Sequence, residues 1–215
     1  MLPLKDNIPT RRFPIVTVAL IVICCIVYFG LQKGGLNGPT DHSTVRYALI
    51  PYEVTHPGKH CDLVQGGAIA CEGKSGVTGH APSQPATLLT LLFAMFMHGG
   101  LLHLGGNMLF LWIFGNNVED SMGRFRFTAF YLLGGLAATA AQVAVGPNST
   151  VPTLGASGAI AAVLGGYAVL YPRARVVTLI FIIIFVTVIE LPALLVLGAW
   201  FLLQLADASA QPLGG

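Results

Sequence analysis

The chain alternates long apolar stretches with short polar ones. Between Arg12 and Lys33 lie 20 residues without a charge, FPIVTVALIVICCIVYFGLQ. A bilayer's hydrocarbon core takes about 20 helical residues, so this stretch predicts a span over 13–31. A signal peptide is the rival reading, but the apolar core is long for one and YFGLQKGG has no small-x-small cleavage site. From Ser75 to Val118 the only titratable side chains are histidines. The second half, LLHLGGNMLFLWIFGNN, predicts a span over 101–117. The first half, ATLLTLLFAMFMHGG, predicts a short interfacial or dipping segment. No charge falls in the 46 positions between Arg126 and Arg173, where the turn formers VGPNSTVPT separate spans over 127–145 and 157–171. The 14 residues VVTLIFIIIFVTVI after Arg175 are short for a crossing and stop at Glu190 and Pro192. They read as an interfacial or partly buried segment, followed by a fifth span over 192–206. The expected fold is all-α: a polytopic membrane helical bundle, a single domain over 1–215, with an outer loop over about 32–97.

Composition agrees with a bilayer. Of 215 residues 54% are hydrophobic and 9% charged, and mean hydropathy is +0.75. A soluble domain carries roughly 25% charged residues. The net charge of +2 and the absence of a basic cluster or nucleic-acid motif leave the lipid bilayer, not nucleic acid, as the expected partner. Basic residues near span ends set orientation. Lys5, Arg11 and Arg12, then Arg124 and Arg126, then Arg173 and Arg175 alternate onto one side, which puts the N-terminus in the cytoplasm. The outer loop dilutes Lys33, Arg46, Lys59 and Lys74 among Asp41, Glu53, Asp62 and Glu72. This topology, with no organelle-type presequence in view, points to a bacterial plasma membrane.

Cys61 and Cys71 flank DLVQGGAIA in that outer loop, where thiols oxidise, so a disulfide is expected between them, with two unpaired thiols as the alternative. Cys24 and Cys25 read as small apolar residues of span one. His56 and His60 lie near these loop cysteines, but the spacing has no metal-ligand frame. No metal and no cofactor is expected.

The chemistry-bearing positions are few. In TLGASGAIAAVLGGYAVLYPRAR, Ser157 sits between two glycines at the head of an apolar run. A helix over 157–171 is roughly 22 Å long, short of the ~30 Å core. With Tyr171 and Arg173 at the cytoplasmic interface, it begins below the outer surface. A serine there has free N–H groups and the positive end of the helix dipole beside it, a setting for an oxyanion. From spacing alone, Ser157 also reads as an N-cap or a packing residue. His103 and Asn107, four apart, share a helix face. Intramembrane polar groups usually face the bundle interior, and both are donors suited to a carbonyl oxygen gaining charge. Singly, each reads equally as a structural residue. His98 lies just outside that face, as an interfacial or loop-fixing residue.

Taken together, MHGGLLHLGGNMLFLWIFGNNVEDSMGRFRFTAFYLLGG, GASGAIAAVLG and IELPALLVLGAWFLLQ resemble the rhomboid intramembrane serine proteases, in order and over nearly the whole chain. The resemblance implies Ser157 as nucleophile. It implies an oxyanion hole of His103, Asn107 and the Ser157 backbone N–H. Gly155 shapes the loop before the nucleophile, with Gly158 as its supporting neighbour. Glu119 and Arg124 fall in the segment that fixes spans two and three. At Ala161 some members carry an aromatic that packs on the base. The family's base is a histidine in an A-H-x-x-G context on a sixth span, whereas every histidine here, His42 to His103, precedes Ser157. About five of six spans are thus expected, in a fragment or truncation of a longer protease, inactive alone. Three functions follow: a protease cleaving transmembrane segments of membrane-protein substrates near the outer face, an inactive rhomboid-like protein binding transmembrane clients, or a channel or transporter. The last would want charges along the spans, which have almost none.

Overall fold

The computed structural model describes residues 1–36, 38, 41–64, 67–81, 85–182 and 185–210. In chain order the elements are β1 (Leu2–Asp6), α1 (Ile15–Ile26) continuing into a π-helical turn (Val27–Leu31), α2 (Asp41–Tyr47), α3 (Pro51–Thr55), β2 (Cys61–Leu63), β3 (Ile69–Cys71) and α4 (Thr87–Ala94). There follow α5 (Leu101–Phe110), a second π-helical turn (Leu111–Gly115), α6 (Asn116–Met122), α7 (Arg124–Val145), α8 (Ser157–Leu170), β4 (Arg175–Ile182), β5 (Phe185–Pro192) and α9 (Ala193–Ala210). Uncharged runs with good helix formers produce the long helices. At 22 residues, α7 measures roughly 33 Å. It is the one helix among the described residues long and apolar enough to cross a membrane, while Ile15–Leu31, Ser157–Leu170 and Ala193–Ala206 are apolar but shorter.

Two compact units divide the chain. One holds Met1–Ile21, Gly105–Gly134 and the described residues from Ala159 onward. Its helices approach closely at small residues, as apolar helices do when no hydrophobic force drives them together. A methyl on Gly134 would collide with the Cβ of Ala162, and one on Gly166 would lie 3.1 Å from the Phe130 ring. Phe114 meets Tyr167 edge-on at 4.8 Å, and Phe110 meets Trp200 at 5.6 Å. Glu119, almost fully buried, closes the head of α1: one carboxylate oxygen accepts the Val16 N–H at 3.0 Å, the other the Thr17 N–H and hydroxyl, both at 2.8 Å. A carboxylate there satisfies orphan donors and favours the helix dipole.

The same unit corrects the all-α expectation. β1, β4 and β5 form an antiparallel sheet in that order, with β4 and β5 in register from Arg175↔Pro192 to Ile182↔Phe185. The 176–189 stretch, read as an interfacial or partly buried segment, is therefore a hairpin. Its run of Val, Ile, Thr and Phe is stiff at χ1 and favours extended backbone. Asp6, at the end of β1, ties the sheet to two helices: its Oδ2 accepts the Asn117 Nδ2–H at 2.7 Å and the Tyr167 hydroxyl at 2.6 Å.

The other unit holds Val22–Leu104 and Gly135–Gly158. Val45, Ile50, Tyr52, Cys61 and Cys71 make a small core, with Leu63 and Ile69 against it. Here β2 and β3 pair with Cys61 opposite Cys71, and a disulfide joins the two. This folded loop is bonded to the strip leading to Ser157. Leu49 and Thr153 exchange two backbone bonds, the Tyr52 N–H donates to the Ser149 carbonyl, and the Thr55 hydroxyl donates to the Pro147 carbonyl at 2.6 Å.

Candidate active site around Ser157

Ser157 is the first residue of α8, so the backbone N–H groups of that first turn have no acceptor within the helix. The strip before it bends at Gly155, whose φ of +127° suits glycine alone. Its N–H is held by the Ala94 carbonyl at 2.8 Å. A methyl at Gly155 would lie 3.1 Å from His103 Cε1, 3.3 Å from His103 Nε2 and 3.6 Å from Ser157 Oγ. The missing Cβ is therefore the space on which the imidazole and the hydroxyl converge. Gly158 serves packing: a methyl there would meet the Ala138 Cβ at 2.5 Å.

His103 stands on the first turn of α5. Its Nδ1 accepts a long bond, 3.4 Å, from the Gly99 N–H. With Nδ1 accepting, a neutral ring carries its proton on Nε2. That is the nitrogen nearer Gly155, so His103 presents a donor there. His98 packs edge-on to His103 at 5.3 Å. Its ring is fully buried, and neither nitrogen has a partner among the described residues. Its backbone is clamped by Gln32, whose Oε1 accepts the His98 N–H and whose Nε2 donates to the His98 carbonyl, both at 2.9 Å. Nothing in the sequence pointed to Gln32 beyond its being a lone polar residue at the end of an apolar run. The Ala94 carbonyl, a backbone group, carried no signal at all.

Asn107 follows His103 by one helical turn and belongs to the other unit. It is buried, and its Nδ2 has no hydrogen-bond partner among the described residues. A buried amide donor left unpaired costs roughly 1–3 kcal/mol. Glu119 holds α1 as described, and Arg124 heads α7 with an exposed side chain. Among the described residues no three His, Cys, Asp or Glu side chains gather as a metal site.

A family model described as "Rhomboid domain" matches residues 85–213. The chain is similar to "Rhomboid protein 1, mitochondrial" of Saccharomyces cerevisiae, 32% identical over 101 residues, covering 43% of this chain and 28% of the relative. It is similar to "Presenilin-associated rhomboid-like protein, mitochondrial" of Bos taurus, 34% identical over 98 residues, covering 44% and 26%. The A form of that protein in Danio rerio is 31% identical over 96 residues, covering 44% and 25%. The chain thus spans about a quarter of the length of the curated relatives it matches. No solved structure matches. These relatives are mitochondrial, which overturns the expected bacterial plasma membrane. The physical reason is that basic residues beside spans orient a chain across a bilayer without identifying the bilayer.

Proposed function

The chain belongs to the rhomboid family, a family of helical membrane bundles, and from that premise we propose that it is an intramembrane serine endopeptidase. Its substrates are transmembrane segments of other membrane proteins, cut near the outer face. Five crossings carry the site, over 13–31, 101–117, 127–145, 157–171 and 192–206, with Arg11, Arg12, Arg124, Arg126, Arg173 and Arg175 on one side. Ser157 attacks the peptide carbonyl. The His103 Nε2–H, the Asn107 Nδ2–H and the Ser157 N–H receive the oxyanion, and water then releases the acyl group. The observation that carries this reading is the convergence of His103 and Ser157 on the missing Cβ of Gly155.

His103 enters as a donor, so the Ser157 proton goes to another base. The rhomboid resemblance assigns that role to a histidine on a sixth span. The second reading is an inactive rhomboid-like protein that binds transmembrane clients. One experiment separates them. The complete reading frame in native membranes is treated with a fluorophosphonate and offered a transmembrane reporter. Labelling and cleavage that both vanish in Ser157→Ala support the protease. A reporter that is retained but not cut, with no fluorophosphonate labelling of the serine, leaves the client-binding reading.

A further inference from the structure

A cleft of about 520 Å³ opens where α6 ends and α7 begins, next to the chain that enters α1. Three arginines line it: Arg12, Arg124 and Arg126. All three are exposed, and among the described residues none makes an ion pair. The cleft also carries two carboxylates, each already accepting bonds from neutral donors of the chain entering α1. Glu119 spends both oxygens on the head of α1, and Asp120 Oδ2 accepts the Arg11 N–H at 2.9 Å. Gly123, at φ +79°, breaks the helix there. The N–H groups of Arg124, Phe125 and Arg126 therefore open α7 without an acceptor inside it. Three guanidiniums beside a positive helix end make a site for a doubly or singly charged phosphate.

The rest of the lining is apolar. Phe13 is 65% exposed and Phe125 is 93% exposed, and Met122 lies with them. Free inorganic phosphate has no use for two exposed phenyl rings beside its cations. An amphiphile does: its phosphate meets the arginines while its acyl chains cover the rings. Aromatic and basic residues so mixed are the composition of a membrane–water interface.

We propose that this cleft binds the phosphate headgroup of an anionic phospholipid on the basic side of the membrane. The bound lipid joins the entry to α1, the end of α6 and the start of α7. Each guanidinium near such a headgroup is worth about fivefold in affinity.

The test uses the whole protein in mixed micelles of phosphatidylglycerol and phosphatidylcholine with matched acyl chains, read by native mass spectrometry. Phosphatidylglycerol should be retained in preference to phosphatidylcholine. The triple variant Arg12→Gln, Arg124→Gln, Arg126→Gln should lose that preference, while excess inorganic phosphate leaves it intact. Arg11→Gln removes the same single charge as Arg12→Gln but just outside the cleft and should retain the preference, with Tm confirming that each variant folds. The proposal is overturned if the wild type holds both lipids equally or the triple variant keeps its preference. It is also overturned if Arg11→Gln weakens binding as much as Arg12→Gln alone, which would reduce the effect to net charge. Displacement of the lipid by inorganic phosphate would give the cleft to a soluble phosphate and overturn it too.

Discussion

The backbone N–H of Gly155 donates to the carbonyl of Ala94 at 2.8 Å. This bond pins the strip before Ser157 to the end of α4. Gly155 is thus held in a backbone conformation open to glycine, and a methyl there would be crowded by His103. Gly155→Ala should therefore cost about 1–3 kcal/mol through φ alone, and the added methyl pushes on His103. Slower fluorophosphonate labelling of Ser157 in the complete protein, with a modest fall in Tm, is the expected result. Unchanged labelling would mean that the shape of this strip does not govern the serine.

Asn107→Ala removes the unpaired Nδ2 donor. On the proposed mechanism, turnover of a transmembrane reporter should fall far more than KM rises, because that mechanism forms the bond only with the oxyanion. The loss of one such donor costs about 3–4 kcal/mol where it has been measured best. His103→Ala should behave likewise. Both variants turning over normally, while Ser157→Ala is dead, would remove the two residues from the oxyanion hole.

The folded loop of α2, α3, β2 and β3 holds the strip from 147 to 153. Thr55→Val removes a hydroxyl that reaches the Pro147 carbonyl at 2.6 Å and also lies within bonding distance of the Pro51 and Tyr52 carbonyls and of His56 Nδ1, and it should lower kcat more than it lowers loop stability, since Thr55 lies outside the small core. Thr55→Ser should restore activity. Replacing Cys61 and Cys71 together by Ser should instead loosen the whole loop by roughly 2–3 kcal/mol, seen as faster proteolysis between residues 41 and 81.

Glu53 gives the same loop a pH dependence. Its carboxyl is buried and accepts the Cys61 N–H at 2.7 Å. Burial pushes it above the usual glutamate range, and the Cys61 bond only partly offsets this. The folded loop therefore binds the proton more tightly than the unfolded chain does. Stability is greatest below the ordinary glutamate value and falls as pH rises from there through the raised folded value. Hydrogen exchange at the Cys61 amide should quicken across that window, and Glu53→Gln should flatten the trend. Exchange that slows with rising pH, after correction for intrinsic rates, would contradict the sign.

Glu119→Ala strips three donors at the head of α1 of their acceptor. Hydrogen bonds to a charged group contribute about 1.5–3 kcal/mol, so a drop in detergent Tm well beyond that of an exposed control such as Glu190→Ala is expected. Equal drops would mean that solvent replaces Glu119 at no cost.

Helix positions were legible because they depend on local quantities. The 46 uncharged positions before Arg173 divide at VGPNSTVPT, and α7 and α8 lie on either side of it. The start of α8 at Ser157 was legible for the same reason, as Gly and Ser punctuate an apolar run. The hairpin was not. An apolar run of 14 residues without alternation fits a buried helix or a strand equally well, and the decision came from β1, whose Leu2 pairs with Leu179.

What the sequence determined by itself is therefore the membrane class, the apolar helices and the residue types available for chemistry. These follow from hydropathy, length and charge, which any window of the chain contains. Tertiary structure alone decided which polar groups find one another. Glu119 reaches Thr17 across 102 residues, Asp6 reaches Tyr167 across 161, and Gln32 reaches His98 across 66. It also decided that Gly155 leaves its missing methyl to His103 and Ser157. The reason is physical: a buried polar group must be satisfied by whatever packing brings beside it, and packing is a property of the folded chain, not of any stretch of it.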